Sequence, residues 1–283
     1  IRRDFNINAM AIELKDNRII DLYSGLDGIE NMKIDFLHES SVLEDPTRII
    51  RASRYSAKLN FQLSNQALKQ IRNTINIWPW NWHIGDATNE APSALSIRLR
   101  MELELLFQSN SWKNALKNLQ AYGGLKIVDS KLQNDQGLIE KIVIAKKSHI
   151  EALTALVYES RNPLYLASRL GLTHQQKEII KGACRLSKCL KDITTNHSYK
   201  NWSPSKWTTI LEEINANESS FILEICRENP LKEYLKSWLF NWKNIKSPIK
   251  GDDLIAKGWE PGPEIAIEIK RQRMKLIDEK IIF

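Results

Sequence analysis

Two short clusters of charged residues have the types and spacing that recognition chemistry needs. The first is Glu44-Asp45-Pro46-Thr47-Arg48-Ile49-Ile50-Arg51-Ala52-Ser53-Arg54-Tyr55. An acidic residue directly before proline is a standard helix start: the carboxylate caps free N–H groups and the ring takes the first helical position. A residue used this way is pinned, and Arg48, three residues on, shares its face of the first turn. The spacing therefore predicts a carboxylate acceptor and a planar guanidinium donor side by side at a rigid helix N-terminus. Farther along, Arg51, Arg54 and Lys58 share with Arg48 a sector of roughly 120°. Such a stripe reads either as a solvated basic face or as a phosphate-contacting one, and spacing leaves both open. The second cluster is Arg2-Arg3-Asp4-Phe5-Asn6-Ile7-Asn8-Ala9. Its charged triplet, taken alone, is a surface ion pair at a strand start.

Other chemistries find less support. No two aspartates are separated by one residue. Glu102 and Glu104 are so separated, but on a helix they point about 200° apart and cannot share a metal. The three cysteines, Cys184, Cys189 and Cys226, form no CxxC pair and no zinc pattern with the five histidines. They read as reduced thiols of a cytosolic protein. No catalytic residue and no metal ligand is expected in this sequence. The net charge of +7 suits a polyanionic partner, since neutralising phosphates releases counterions. No stretch approaches a membrane span and no signal peptide opens the chain. The first residue is Ile1 rather than Met, which reads as a piece whose start lies upstream.

A mainly helical array must position these clusters. Only the first 22 or so residues read as strand, with Asp16-Asn17 as the turn of one β-hairpin. One hairpin is too little for an independent sheet, so it is expected to end a sheet whose other strands lie upstream. After about residue 40 the patterns are helical, as where Leu95, Leu99, Leu103 and Leu106 make one apolar stripe. Helical patterns follow at 112–122, 136–159, 163–170, 174–192, 205–226 and 231–243, with breaks at Gly123-Gly124 and at several prolines. The aromatic run Trp78-Pro79-Trp80-Asn81-Trp82 is read as a wedge between domains rather than a base-stacking platform.

The two clusters, with two later ones, resemble a known family. Arg2 to Ala9 is similar to the RRDF[T]xNA motif of bacterial CCA-adding enzymes and poly(A) polymerases, and Glu44 to Tyr55 to their EDPxRxxRAxRF motif. Arg98-Leu99-Arg100-Met101-Glu102-Leu103 looks like the RxRxEL helix, and Gly251-Asp252-Asp253-Leu254 with Gly258 to Pro263 like the GxDL…GxxPGP tail. These match in order over nearly the whole chain. The departures are Asn6 for Thr, Gly28-Ile29 for the Asp-Leu that ends the DxxGGxxDL turn begun at Asp21, and the absence of the DxD element that holds magnesium.

The resemblance implies a mainly α fold: a remnant β-hairpin of a nucleotidyltransferase head (1–30), a nucleotide-selecting helical neck (31–107), a helical body (108–200) and a tRNA-binding helical tail (201–283). It implies an RNA nucleotidyltransferase of the cytoplasm, adding A and/or C to tRNA or other RNA 3′ ends from ATP and CTP, with Mg²⁺ held by carboxylates upstream. Arg3, Asp4, Asn8, Glu44, Asp45, Arg48 and Arg51 become candidate nucleotide contacts; Arg54, Lys58, Lys270, Arg271 and Arg273 become candidate RNA contacts. In that setting a carboxylate beside a guanidinium selects bases. Cytosine and adenine present an amine donor beside a ring-nitrogen acceptor, whereas uracil and guanine present the reverse. Arg98, Arg100 and Glu102 read equally as a salt bridge between helices. A helical RNA-binding module without catalysis, or one half of a split enzyme, is the rival reading.

Overall fold

The computed structural model describes residues 4–77, 95–196, 198–214 and 231–279, which form two compact units, Ile1–Lys177 and Glu178–Phe283. Arg3, Trp78–Trp82 and Cys226 lie outside the described residues.

Unit 1 opens with a 3-10 turn at Asn6–Asn8, where the sequence suggests strand. The expected hairpin is present but short: β1 (Ala11–Ile12) pairs antiparallel with β2 (Ile19–Ile20). Its apolar side chains are exposed, as are Leu14 and Leu22. Asp21 then organises the chain. Its carboxylate accepts the N–H groups of Gly25 (2.8 Å), Leu26 (2.9 Å) and Tyr23 (3.3 Å), and so caps α1 (Gly25–Glu30). The Leu26 N–H does most to hold its pKa below the ordinary carboxylate value, with Gly25 next.

The sequence gives no hint of the next pair. β3 (Lys33–Ile34) lies parallel to β4 (Gln62–Leu63), and between them run α2 (Ser41–Glu44) and α3 (Arg48–Leu59). Two residues per strand leave no alternation to read. The remaining helices are α4 (Asn65–Ile77), α5 (Leu95–Gln108), α6 (Trp112–Ala121), α7 (Ser130–Asn134), α8 (Leu138–Lys147), α9 (Ala152–Tyr158) and α10 (Pro163–Arg169). The pattern at 136–159 reads as one helix but is two, because His149 adopts a left-handed φ of 59° that ends α8. The centre of the unit is α3 against α5 and α6. Ile49, Ile50, Leu99, Leu103, Leu106, Leu116 and Leu119 are fully buried there, each a contribution of about 1.5–3 kcal/mol. Gly123, at φ +79°, turns the chain after α6, and a Cβ on Gly124 would meet Leu119 at 2.5 Å and Ile49 at 2.6 Å.

The second unit begins within α11 (His174–Asn196) and continues through α12 (Pro204–Glu213), α13 (Lys232–Phe240), α14 (Gly251–Ile255) and α15 (Pro263–Glu279). Its core includes an aromatic group around the fully buried Trp207, which stacks on Tyr234 at 5.0 Å and tilts against Trp202 at 5.0 Å. Cys184 and Cys189 are free thiols whose pKa burial pushes up. Among the described residues, no helix is long and apolar enough to cross a membrane.

Candidate nucleotide-binding site

The N-terminus of α3 builds the site, in a manner different from the simple cap. Asp45 ends α2 in an extended conformation, and α3 begins at Arg48 after the Pro46-Thr47 turn. The Asp45 carboxylate still caps: Oδ1 accepts the Thr47 N–H at 3.1 Å and the Thr47 hydroxyl at 2.6 Å. That leaves Oδ2 turned toward α5, where the Arg98 guanidinium donates to it at 3.2 Å.

Arg48 does not stand beside Asp45 as the spacing suggests. It is buried, donates from Nη1 to the Ser41 carbonyl at 2.9 Å, and places Nε 3.2 Å from Asp4 Oδ1. The reason is the chain crossing behind α3: Phe5 packs its ring edge-on to Tyr55 at 5.4 Å and so brings Asp4 against the first turn. Sequence spacing within one helix could not anticipate that competitor.

Arg51 and Arg54 are likewise no solvated stripe. Arg51 pairs with both Asp4 and Glu102, and Arg54 donates to the second Glu102 oxygen at 3.0 Å. Burial disfavours the charge of Arg51, but Asp4 and Glu102 outweigh it and hold its pKa above the ordinary arginine value. Glu102, itself buried, thus ties α5 to α3 through two guanidiniums, one of the two roles left open for that motif. Glu104 turns instead toward Arg100 at 3.7 Å. Lys58 is the member of the stripe left exposed.

These groups surround a cavity of about 360 Å³ lined by Asp4, Asn8, Asp45, Arg51, Arg98 and Glu102, together with Thr47, Tyr55 and Met101. Asn8 is tethered through its Oδ1, which accepts the Phe5 N–H at 3.3 Å. Glu44 is absent from the lining: it is exposed, 3.6 Å from His38. Tyr55 and Met101 were not among the expected contacts. The available signal was helical spacing, since Thr47, Arg51 and Tyr55 recur every four residues and Met101 lies three after Arg98.

The cavity's carboxylates are committed to guanidiniums and backbone donors. Among the described residues no group of three or more His, Cys, Asp or Glu side chains could hold a metal ion. These side chains do not fit a magnesium site.

In the second unit, the basic face of α15 divides. Arg273 is half-buried and holds its own unit together, donating to both Glu212 oxygens and to the Ile245 and Lys243 carbonyls. Arg271 is exposed and pairs with Glu268, whose pKa falls to about 2 chiefly through that bond. Lys270 is exposed.

Residues 1–35 match the family described as "Poly A polymerase head domain". The chain is 25% identical over 295 residues to the A-adding tRNA nucleotidyltransferase of Aquifex aeolicus, a match covering 99% of this chain and 34% of that protein. It is 31% identical over 187 residues to the CCA-adding enzyme of Limosilactobacillus reuteri, covering 64% and 40%. It therefore matches well under half the length of these relatives. A CCA-adding enzyme solved with CTP has the same fold, with a TM-score of 0.65, 22% identity and coverage of 98% of this chain and 67% of that one. The Thermotoga maritima CCA-adding enzyme solved with tRNA aligns with a TM-score of 0.63 at 21% identity, covering 98% and 68%. Over nearly its whole length the chain is thus similar to A-adding and CCA-adding tRNA nucleotidyltransferases.

Proposed function

We propose that the intact protein is a template-independent RNA nucleotidyltransferase that adds A and/or C to tRNA 3′ ends from ATP and CTP. The observation that carries this reading is the position of Asp45: one oxygen is fixed by Thr47, and the other faces a cavity lined by guanidiniums. An incoming cytosine or adenine would give its exocyclic amine to Asp45 Oδ2, the oxygen that Arg98 holds in the empty pocket. Arg48, released from the Ser41 carbonyl, would donate to the ring nitrogen. Uracil or guanine would set carbonyl against carboxylate and N–H against guanidinium, and unpaired buried polar groups give large rejection factors. Arg51, Arg98 and Arg3 would neutralise the triphosphate, with Asp4 and Asn8 at the ribose.

The magnesium that such chemistry would use is not held by the pocket carboxylates, which are committed to arginines. The exposed apolar hairpin is the surface that the rest of a head domain would cover. The alternative, a non-catalytic RNA-binding module or one half of a split enzyme, is favoured by the commitment of every pocket carboxylate to arginine.

The test uses the full-length protein, tRNA lacking its 3′ end, and the four nucleoside triphosphates. Sequenced products should carry A, C or both. Asp45→Ser keeps an oxygen for the Thr47 N–H but loses the carboxylate, so discrimination against UTP and GTP should fall by roughly 100-fold or more. Wild-type selectivity in Asp45→Ser would make the residue a cap and nothing else.

A further inference from the structure

A second polar cavity, of about 580 Å³, opens on the other side of α3 from the nucleotide pocket. At 3.6 residues per turn, Arg51 and Tyr55 follow one face of that helix, and Ser56, Ala57 and Asn60 follow the opposite one. The floor is a hydrogen-bonded set. The Ser56 hydroxyl lies 3.0 Å from the Tyr122 hydroxyl, and Asn118 donates to Ser56 Oγ at 3.1 Å. Burial raises the Tyr122 pKa, the Ser56 bond only partly offsetting it, so the phenol stays protonated at neutral pH. Around this floor stand the amides of Asn60, Gln62 and Asn114 and the ammonium groups of Lys33 and Lys117. None of these five side chains makes a hydrogen bond or ion pair among the described residues. No Asp or Glu lines the cavity.

Unpaired ammonium groups beside unpaired amides, with no acid opposite, match one ligand chemistry. Lysines take phosphate oxygens as point charges, and amides pair with base edges or ribose hydroxyls. We infer that this groove binds the sugar-phosphate backbone of the RNA substrate, away from the pocket that takes the incoming nucleotide. The inference rests on the functional reading above for RNA as the substrate. It separates the two tasks on opposite faces of one helix: α3 selects the nucleotide in front and holds a stretch of RNA behind.

The experiment uses the full-length protein and tRNA lacking its 3′ end. Lys33 and Lys117 are exposed, so Lys33→Gln with Lys117→Gln removes charge without touching the core. Binding is titrated between roughly 50 and 300 mM salt, where phosphate contacts set the slope of log affinity against log salt. The double variant should flatten that slope by up to about 1.8, or about 0.9 per lost contact. Its KM for tRNA should rise while its KM for ATP stays put. Asn114→Ala should weaken tRNA binding and leave the slope alone. In the wild type, tRNA should shield Lys33 and Lys117 from an amine-reactive label, whereas ATP or inorganic phosphate should not. This labelling arm needs no folded variant. An unchanged slope with no shielding by tRNA would overturn the groove while leaving nucleotide transfer intact. Shielding by ATP alone would make it a free-nucleotide site and overturn the RNA assignment. A wild type that binds tRNA through these lysines yet never extends it would sink the functional reading and spare the groove.

Discussion

Asp45 and Glu102 show how two carboxylates one helix apart take different tasks. Glu102 is buried with both oxygens committed to arginines, so it organises the site rather than serving a ligand. Glu102→Gln should cost about 2 kcal/mol in a urea titration, less than the loss of a fully buried pair because Arg51 and Arg54 keep some water contact. Asp45 has a second oxygen shared with Arg98, and under the proposed function two guanidiniums, Arg48 and Arg98, would compete to complete the base-reading edge. Arg48→Ala should lose discrimination against UTP and GTP, whereas Arg98→Ala should keep it, as read from competing-nucleotide incorporation by the full-length protein. The reverse outcome would assign the donor to Arg98. Two of the three departures from the family motifs also meet at this scale. A Cβ on Gly28 would lie 2.4 Å from Asn6 Nδ2 and 2.9 Å from the Lys33 carbonyl. Asn6 in turn uses its side chain to accept the Asp35 N–H at 2.9 Å. The longer Asn and the missing side chain at 28 therefore fit each other. Gly28→Asp should destabilise by about 1–3 kcal/mol, and Asn6→Thr should recover part of that loss in a thermal melt.

Among the elements, α1 depends on the partly exposed carboxylate of Asp21. The folded-state pKa of Asp21 is depressed, so its contribution is complete above the ordinary value near 4 and is lost as pH falls through the lower folded pKa. Amide exchange at Gly25 and Leu26 should stay slow as pH drops past 4 and quicken only as it falls through the lower folded pKa. In Asp21→Asn the same amides should exchange fast at every pH. The terminal helix α15 separates its arginines by burial. Arg273→Ala should lower the stability of unit 2 by about 2 kcal/mol, since four accepted hydrogen bonds lose their donor. Lys270→Ala and Arg271→Ala should leave the melt unchanged and weaken tRNA binding, if the exposed side of this helix tracks phosphates.

For the whole molecule, the net charge of +7 is compatible with the nucleotide and RNA partners proposed above, yet this stretch holds no cluster fit for a metal among its described residues. The 283-residue chain alone should therefore show no incorporation of labelled ATP or CTP into tRNA at millimolar Mg²⁺, while still binding tRNA. Turnover that survives repurification would mean that the missing carboxylates lie within it. The division into two units, with a boundary inside α11, differs from the four-part division expected from motif resemblance. Limited proteolysis of the full-length protein would show which division governs unfolding.

Helix types, the hairpin and some of the charged members of the pocket were legible in the sequence, because each depends on local matters: apolar spacing of 3.6, turn residues, and charged groups a fixed number of residues apart. Asp4, Asn8, Asp45 and Arg51 were named from motifs and line one cavity. The pairing was another matter. Which guanidinium faces Asp45, that Arg48 turns inward to Asp4, that Arg51 and Arg54 share Glu102, and that α3 carries a second polar groove all depend on residues about 40 to 70 positions apart. A charge on a helix takes the nearest opposite charge in space, and only the packing of Phe5, α5 and α6 around α3 determines which charge that is.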